Sequence, residues 1–164
     1  MPPVVKMSGN SGQTLKIAAK NAQTLPSDRE SVFWLNVLDV PPTPEDANDN
    51  YLQVAIRNRI KVFYRPTSLE APDNKTIEKV SISTSGGQTC LKNDSPYYLT
   101  IPQVVSWQGG QLKQARKDNL LSDTAFIQPF GCVLVSDKIR SGGQYRLTWL
   151  DDYGTKRFSL LHKS

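Results

Sequence analysis

From Tyr51 to Pro66 the chain reads YLQVAIRNRIKVFYRP, and its even and odd positions separate by chemistry. Leu52, Val54, Ile56, Ile60, Val62 and Tyr64 share one parity, with Asn58 as the polar exception. Gln53, Ala55, Arg57, Arg59, Lys61, Phe63 and Arg65 share the other. Segregation at a period of two predicts a β-strand with an apolar and a cationic face. At roughly 3.3 Å per residue such a strand would span about 50 Å, much longer than the usual strand of about 5–6 residues. A strand of that length runs along a sheet edge or projects beyond it, presenting backbone donors and acceptors that proteins ordinarily blunt. Pairing with another chain is therefore a candidate function in itself. The exposed edge also offers self-association.

The flanking pattern is β throughout. Gln13, Leu15 and Ile17 alternate with Thr14 and Lys16 and predict a short strand, and SVFWLNVLDV predicts a buried one. Pro41 to Asn50, with its prolines followed by Asp and Asn, predicts a long loop joining that strand to the one from Tyr51. TSLEAPDNKT reads as a linker. Beyond it KVSIST, QTCLK, YYLTI, VVSW, AFIQ, CVLVS, QYRLTWL and RFSLL are short β-like runs divided by turn residues, the spacing of an all-β sandwich. QGGQLKQARKDNLLSD has room for a helical turn but too few apolar positions to define one.

Composition narrows the function. Hydrophobic residues make up 38% and charged residues 21% of the 164, enough apolar content for a folded chain. The net charge is +5 and the pI about 9.2. That balance suits nucleic acid, an acidic surface or a carboxylate-bearing protein, but the basic residues are scattered without a long run, which disfavours nucleic acid. No apolar run reaches the ~18 residues of a membrane helix. MPPVVKMSGN lacks the apolar core and cleavage site of a signal peptide, which leaves a cytoplasmic chain, a processed one, or one that begins inside a longer protein.

No enzyme chemistry is legible. His162 is a lone histidine near the end, Asp151 and Asp152 as strand neighbours would point to opposite faces, and no GxSxG or GxxxxGK[ST] motif occurs. No cofactor or metal set is implied. Trp34, Trp107 and Trp149 read as core or rim aromatics. The two cysteines, Cys90 and Cys132, form no CxxC pair; they would bond in an oxidising compartment and remain buried thiols in a reducing one.

The words LPSDRESVFWLNV, LQVAIRNRIKVFYRP, SPYYLTI and DDYG, in this order and across essentially the whole chain, resemble the periplasmic pilus-assembly chaperones of the chaperone–usher pathway. The short loop before the long strand resembles their short-loop subgroup. The resemblance implies two immunoglobulin-like β-sandwich domains, here with the N-terminal one incomplete: residues 1–68, a linker 69–77, and residues 78–164. It implies a non-enzymatic chaperone in the periplasm that binds pilus subunits by donor-strand complementation and hands them to an outer-membrane usher. Leu52, Val54 and Ile56 match the side chains that fill a subunit's groove. Lys61 matches the anchor of the subunit's C-terminal carboxylate, and Glu30, Arg65 and Asp152 match an inter-domain ion network. Because Lys61 and Ile56 differ in parity, a bulge between them is expected if one ligand is to meet both. The family's opening strands and a second anchoring arginine precede the part matched by Met1, so the chain reads as a truncated product, a mis-called start or a fragment. Competing expectations are a structural or non-functional β-sandwich remnant and a basic nucleic-acid-binding β-protein.

Overall fold

The computed structural model describes residues 4–42, 52–136 and 138–161. Tyr51, His162 and all but the first two residues of the Pro41–Asn50 loop lie outside the described residues. The elements in order are β1 (Ser31–Asp39), β2 (Ile56–Tyr64), a one-turn helix α1 (Asn74–Ile77), β3 (Val80–Ser85), β4 (Gln88–Asn93), β5 (Leu99–Ile101), β6 (Gln103–Ser106), β7 (Ala125–Ile127), β8 (Cys132–Leu134), β9 (Tyr145–Leu150) and β10 (Lys156–Leu161). The fold is nearly all-β, with two immunoglobulin-like domains, of which the first contributes β1 and β2 among the described residues.

The second domain holds the core. Its antiparallel sheets β10–β9–β6 and β3–β4–β8, with the pair β5–β7, enclose Val80, Leu91, Ile101, Val104, Ile127 and Leu147, all essentially inaccessible. Alternation decides the packing: along β9, Tyr145, Leu147 and Trp149 enter the core while Arg146 and Thr148 face the other way. That outer face is covered too, because the Arg146 guanidinium donates to the carbonyls of Leu112 and Gln114 at 2.9 and 2.6 Å and pins the segment between β6 and β7 over it. Pro102 interrupts the run YYLTIPQVVS, so that β5 pairs with β7 while β6 pairs with β9.

Several sequence readings change. SVFWLNVLDV forms β1 but is not a buried strand, since none of its residues is buried. The segment Gln13–Ala19 forms no strand and pairs with nothing among the described residues. The stretch read as linker contains α1, where Asp73 accepts the Thr76 amide at 3.0 Å and Thr76 Oγ1 accepts the Asp73 amide at 3.1 Å. Threonine here fills the capping-box position usually held by Glu or Gln, which hides the signal in the sequence. The cysteines are bonded. Cys90 sits opposite Leu134 and Cys132 opposite Lys92, so the disulfide runs diagonally between β4 and β8 with a Cα–Cα distance of 5.8 Å.

The first domain contains β1 and β2 as a two-stranded sheet and no buried apolar side chain before Pro66 among the described residues. Its position therefore rests on its contacts with the second. Arg65 reaches both ways: its Nη atoms donate to the two carboxylate oxygens of Asp152, each at 2.8 Å, and its Nε donates to Glu30 Oε1 at 2.9 Å. Glu30 is 4% exposed, and its Oε2 accepts the Tyr98 amide at 2.7 Å. The Asp152 carboxylate, then Glu30, hold the Arg65 guanidinium protonated well above the ordinary arginine range, against the opposing pull of burial. Glu30 N–H also donates to the Pro96 carbonyl at 2.9 Å, and the Arg29 guanidinium lies 4.9 Å above the Phe130 ring.

Asp151 and Asp152 occupy the turn between β9 and β10 rather than strand positions. Asp151 accepts the amides of Tyr153 and Thr155 at 3.0 and 2.9 Å, closing the turn and leaving Asp152 to Arg65.

Removing Arg65 would strand a buried carboxylate, which costs about 3–5 kcal/mol, whereas removing the partly exposed Asp152 is worth about 1 kcal/mol or less. Arg65→Ala should speed proteolytic cleavage between residues 66 and 73 far more than Asp152→Asn; equal rates for both would refute Glu30 as the buried end of the clasp. The disulfide closes a loop of 42 residues of separation, for which chain entropy predicts about 4 kcal/mol. Reduction should lower the urea midpoint of the second domain, read by circular dichroism, and an unchanged midpoint would exclude that contribution.

Candidate functional site

β1 and β2 pair antiparallel without interruption, from Ser31↔Tyr64 to Asp39↔Ile56. The strand therefore spans Ile56–Tyr64 and not the full Tyr51–Pro66. Its partner explains the difference: β1 is followed by Val40, Pro41 and Pro42, and prolines have no amide to continue a ladder. Gln53 meets that segment through its side chain instead, donating to the Pro41 carbonyl at 2.8 Å.

Unbroken register also means no bulge between Ile56 and Lys61. The hairpin keeps two distinct faces. One carries Ile56, Ile60, Val62 and Tyr64 beside Phe33, Leu35 and Val37; the segment around Ile17 to Leu25 borders it and encloses a surface hollow of about 610 Å³ against Phe33, Leu35 and Val62. The other carries Arg57, Arg59, Lys61 and Phe63 beside Val32, Trp34, Asn36 and Leu38. Leu52, Val54 and Ile56 are 88%, 57% and 54% exposed. The structure thus leaves these apolar side chains uncovered and does not bring Ile56 onto the face of Lys61.

What it does bring to Lys61 is an aromatic cleft between the domains. Lys61 Nζ stands 3.6 Å from the Phe126 ring centroid and 5.7 Å from that of Trp34. Arg59 stacks on the same indole at 3.9 Å. Phe63 continues the cluster onto Tyr98 and Phe126 at centroid separations of 5.8 and 6.3 Å, and those two rings stack at 5.2 Å. Among the described residues no carboxylate is paired with Arg57, Arg59 or Lys61. Burial without a counter-ion pulls the Lys61 ammonium below the ordinary lysine range.

Glu30, Arg65 and Asp152 converge in the clasp just behind this cleft, and Cys90 and Cys132 lie in the second domain, outside it. Sequence reasoning names Trp34 only as a core or rim aromatic and Arg59 only as part of the cationic face, and it does not single out Phe126. Trp34 faces Lys61 only through the β1–β2 register, which the long connecting loop hides, and Phe126 is brought in by domain packing. No cluster of His, Cys, Asp and Glu suited to a metal occurs among the described residues.

Comparison with known proteins agrees with this architecture. The family described as "Pili and flagellar-assembly chaperone, PapD N-terminal domain" matches residues 1–70, and "Pili assembly chaperone PapD, C-terminal domain" matches residues 75–158. The "Probable fimbrial chaperone YehC" of Escherichia coli is 37% identical over 93% of this chain and 60% of its own length. The chaperone protein HifB of Haemophilus influenzae is 32% identical over 93% of this chain and 61% of its own. The chain thus spans about three fifths of the length of these curated relatives. Among solved structures, the CupB2 chaperone of Pseudomonas aeruginosa superposes with a TM-score of 0.62 at 24% identity, over 85% of this chain and 61% of that one. The Salmonella enterica SafA pilin in complex with the SafB chaperone gives 0.61 at 20%, over 84% and 61%. With both of its domain models matched in order, the chain belongs to the pilus-assembly chaperone family of the chaperone–usher pathway.

Proposed function

We propose that this chain is the subunit-binding part of a periplasmic chaperone, capturing pilus subunits by strand addition and presenting them to an outer-membrane usher. The observation that carries this reading is the free edge of β2, which pairs only with β1 among the described residues and runs past a counter-ion-free lysine in a cleft. A strand laid along that edge gains main-chain hydrogen bonds, and its side chains alternate across both faces. Ile56 and Lys61 can then serve one ligand without a bulge: the ligand's apolar side chains lie on the Ile56 face, and its terminal carboxylate meets Lys61. A chain that ends at Lys61 after passing Ile56 must run parallel to β2. Leu52 and Val54 extend the apolar row, and Glu30, Arg65 and Asp152 hold the interdomain angle that puts Phe126 beside Lys61. No nucleotide enters this scheme; release is driven by the subunit's pairing with the next subunit.

A second reading rests on the absence of a buried apolar residue before Pro66 among the described residues. On it the chain is a stable C-terminal sandwich carrying a hairpin without chaperone activity. Limited proteolysis separates the two: rapid loss of residues 1–68 that a cognate subunit does not slow supports the remnant.

Lys61→Ala removes a charge-assisted hydrogen bond worth about 1.5–3 kcal/mol, so co-purification of a cognate subunit from periplasmic extract should fall roughly ten- to hundredfold. Ile56→Asp should abolish it. Unchanged capture by both variants sinks the reading. A carboxylate ligand favours the protonated ammonium, so affinity should be level near neutrality and fall as pH rises through the pKa of free Lys61, which starts below the ordinary lysine value of 10.5. An affinity that rises over that range contradicts the anchor.

A further inference from the structure

The cationic face of β2 carries more than the anchor needs. Arg57, Arg59 and Lys61 stand at alternate positions of one unbroken strand, about 6.6 Å apart along it. From β1 the same face receives Val32, Trp34, Asn36 and Leu38, none of them acidic. Among the described residues none of the three cations has an ion-pair or side-chain hydrogen-bond partner. Arg57 and Arg59 are exposed. Stacking on Trp34 uses the flat face of the Arg59 guanidinium and leaves its N–H edge able to bind a carboxylate in bidentate fashion. Like charges in a row repel, and among the described residues nothing compensates the row.

Resting on the strand-addition reading, we infer that Arg59 and Arg57 select the ligand: the added strand carries Asp or Glu at the alternate positions just upstream of its C-terminal residue. A parallel strand ending at Lys61 places those side chains on the cationic face, beside Arg59 first and Arg57 next. Opposite charges on neighbouring strands of one face are mutually stabilising, and complementary charge fixes register and rejects other partners. A second copy of this chain is a poor occupant of the same edge, because β2 against β2 would set arginine and lysine rows side by side. Nucleic acid would need a basic surface that extends beyond one strand to follow a phosphate backbone. On the hairpin the basic row ends at Lys61, where Phe63 and the second domain close it off.

The test uses the whole chain and three synthetic strand-length peptides with free C-terminal carboxylates, alternating Val with Glu, Gln or Lys, titrated by calorimetry. The Glu peptide should bind at least about tenfold more tightly than the Gln peptide at low salt, and the Lys peptide most weakly. The gap should shrink at 1 M salt, where screening acts within about 3 Å. The double variant Arg57→Gln/Arg59→Gln should bind the Glu and Gln peptides equally. Equal binding of the Glu and Gln peptides overturns the charge selection and leaves strand addition standing. Binding of none of them overturns both. Tighter binding of a single-stranded oligonucleotide than of the Glu peptide, or a dimer by sedimentation with the β2 edge occupied, also overturns the selection.

Discussion

Glu30 is the constraint on which the arrangement depends. Its carboxylate is almost fully buried, and it is tied at one oxygen to Arg65 from the end of β2 and at the other to the Tyr98 amide of the second domain. A buried carboxylate is tolerable only when both of its oxygens are satisfied, so the two domains have one favourable relative position at this point. Arg65 then extends the tie to Asp152 in the β9–β10 turn, with both Nη atoms engaged. Apolar packing adds Phe63 against Tyr98 and Phe126, but most of the hairpin's large apolar residues are exposed, Phe33 at 48% and Ile60 at 53%. A buried ion pair is weak evidence for stability, and this one joins the two domains that together line the cleft. Phe126 comes from the second domain, Trp34 and Lys61 from the first, so the aromatic cleft forms across the same boundary that the clasp spans.

The hairpin carries an unusual combination of liabilities. An edge strand with a free ladder and an apolar face is an aggregation template, and every large apolar side chain it leaves in water forgoes about 1.5–3 kcal/mol of burial. A cationic row on the opposite face is one of the ways that such edges are kept from pairing with their own kind. Here it discourages a second copy of this chain while leaving the edge open to a strand of opposite charge. The features that make β2 hazardous alone are those that make it selective.

Most of the second domain was legible in the sequence. Each short run after the linker, from KVSIST to RFSLL, becomes one of β3 to β10, because β-branched and aromatic runs bounded by turn residues leave few alternatives. The hairpin strand was read correctly in its parity and incorrectly in its length: periodicity continues through Leu52 and Val54, but a ladder needs a partner, and Pro41 and Pro42 end the partner first. QTLKIAA alternates like a strand and forms none for the same reason, since no neighbour pairs with it among the described residues. The single turn of α1 was missed because its cap is built from Asp73 and Thr76. The diagonal pairing of Cys90 with Cys132 and the approach of Phe126 to Lys61 depend on register and packing between distant segments. Composition and spacing do not encode those in readable form.

The expectation of a bulge failed for an instructive reason. It assumed that one ligand must meet Ile56 and Lys61 on a single face, as a side chain or small molecule would. A strand is a different kind of ligand. It lies in the plane of the sheet, and its successive residues point alternately to the two faces, so it reads both faces of β2 at once through an unbroken ladder. Under the proposed strand addition, apolar contact falls to one face and charge to the other, without the local distortion that a bulge would impose on the ladder. Segregation of Ile56, Ile60 and Val62 from Arg57, Arg59 and Lys61 at a period of two is therefore the simplest way for one strand to impose an apolar and an electrostatic requirement on the same partner. An uninterrupted register is what keeps those requirements in phase.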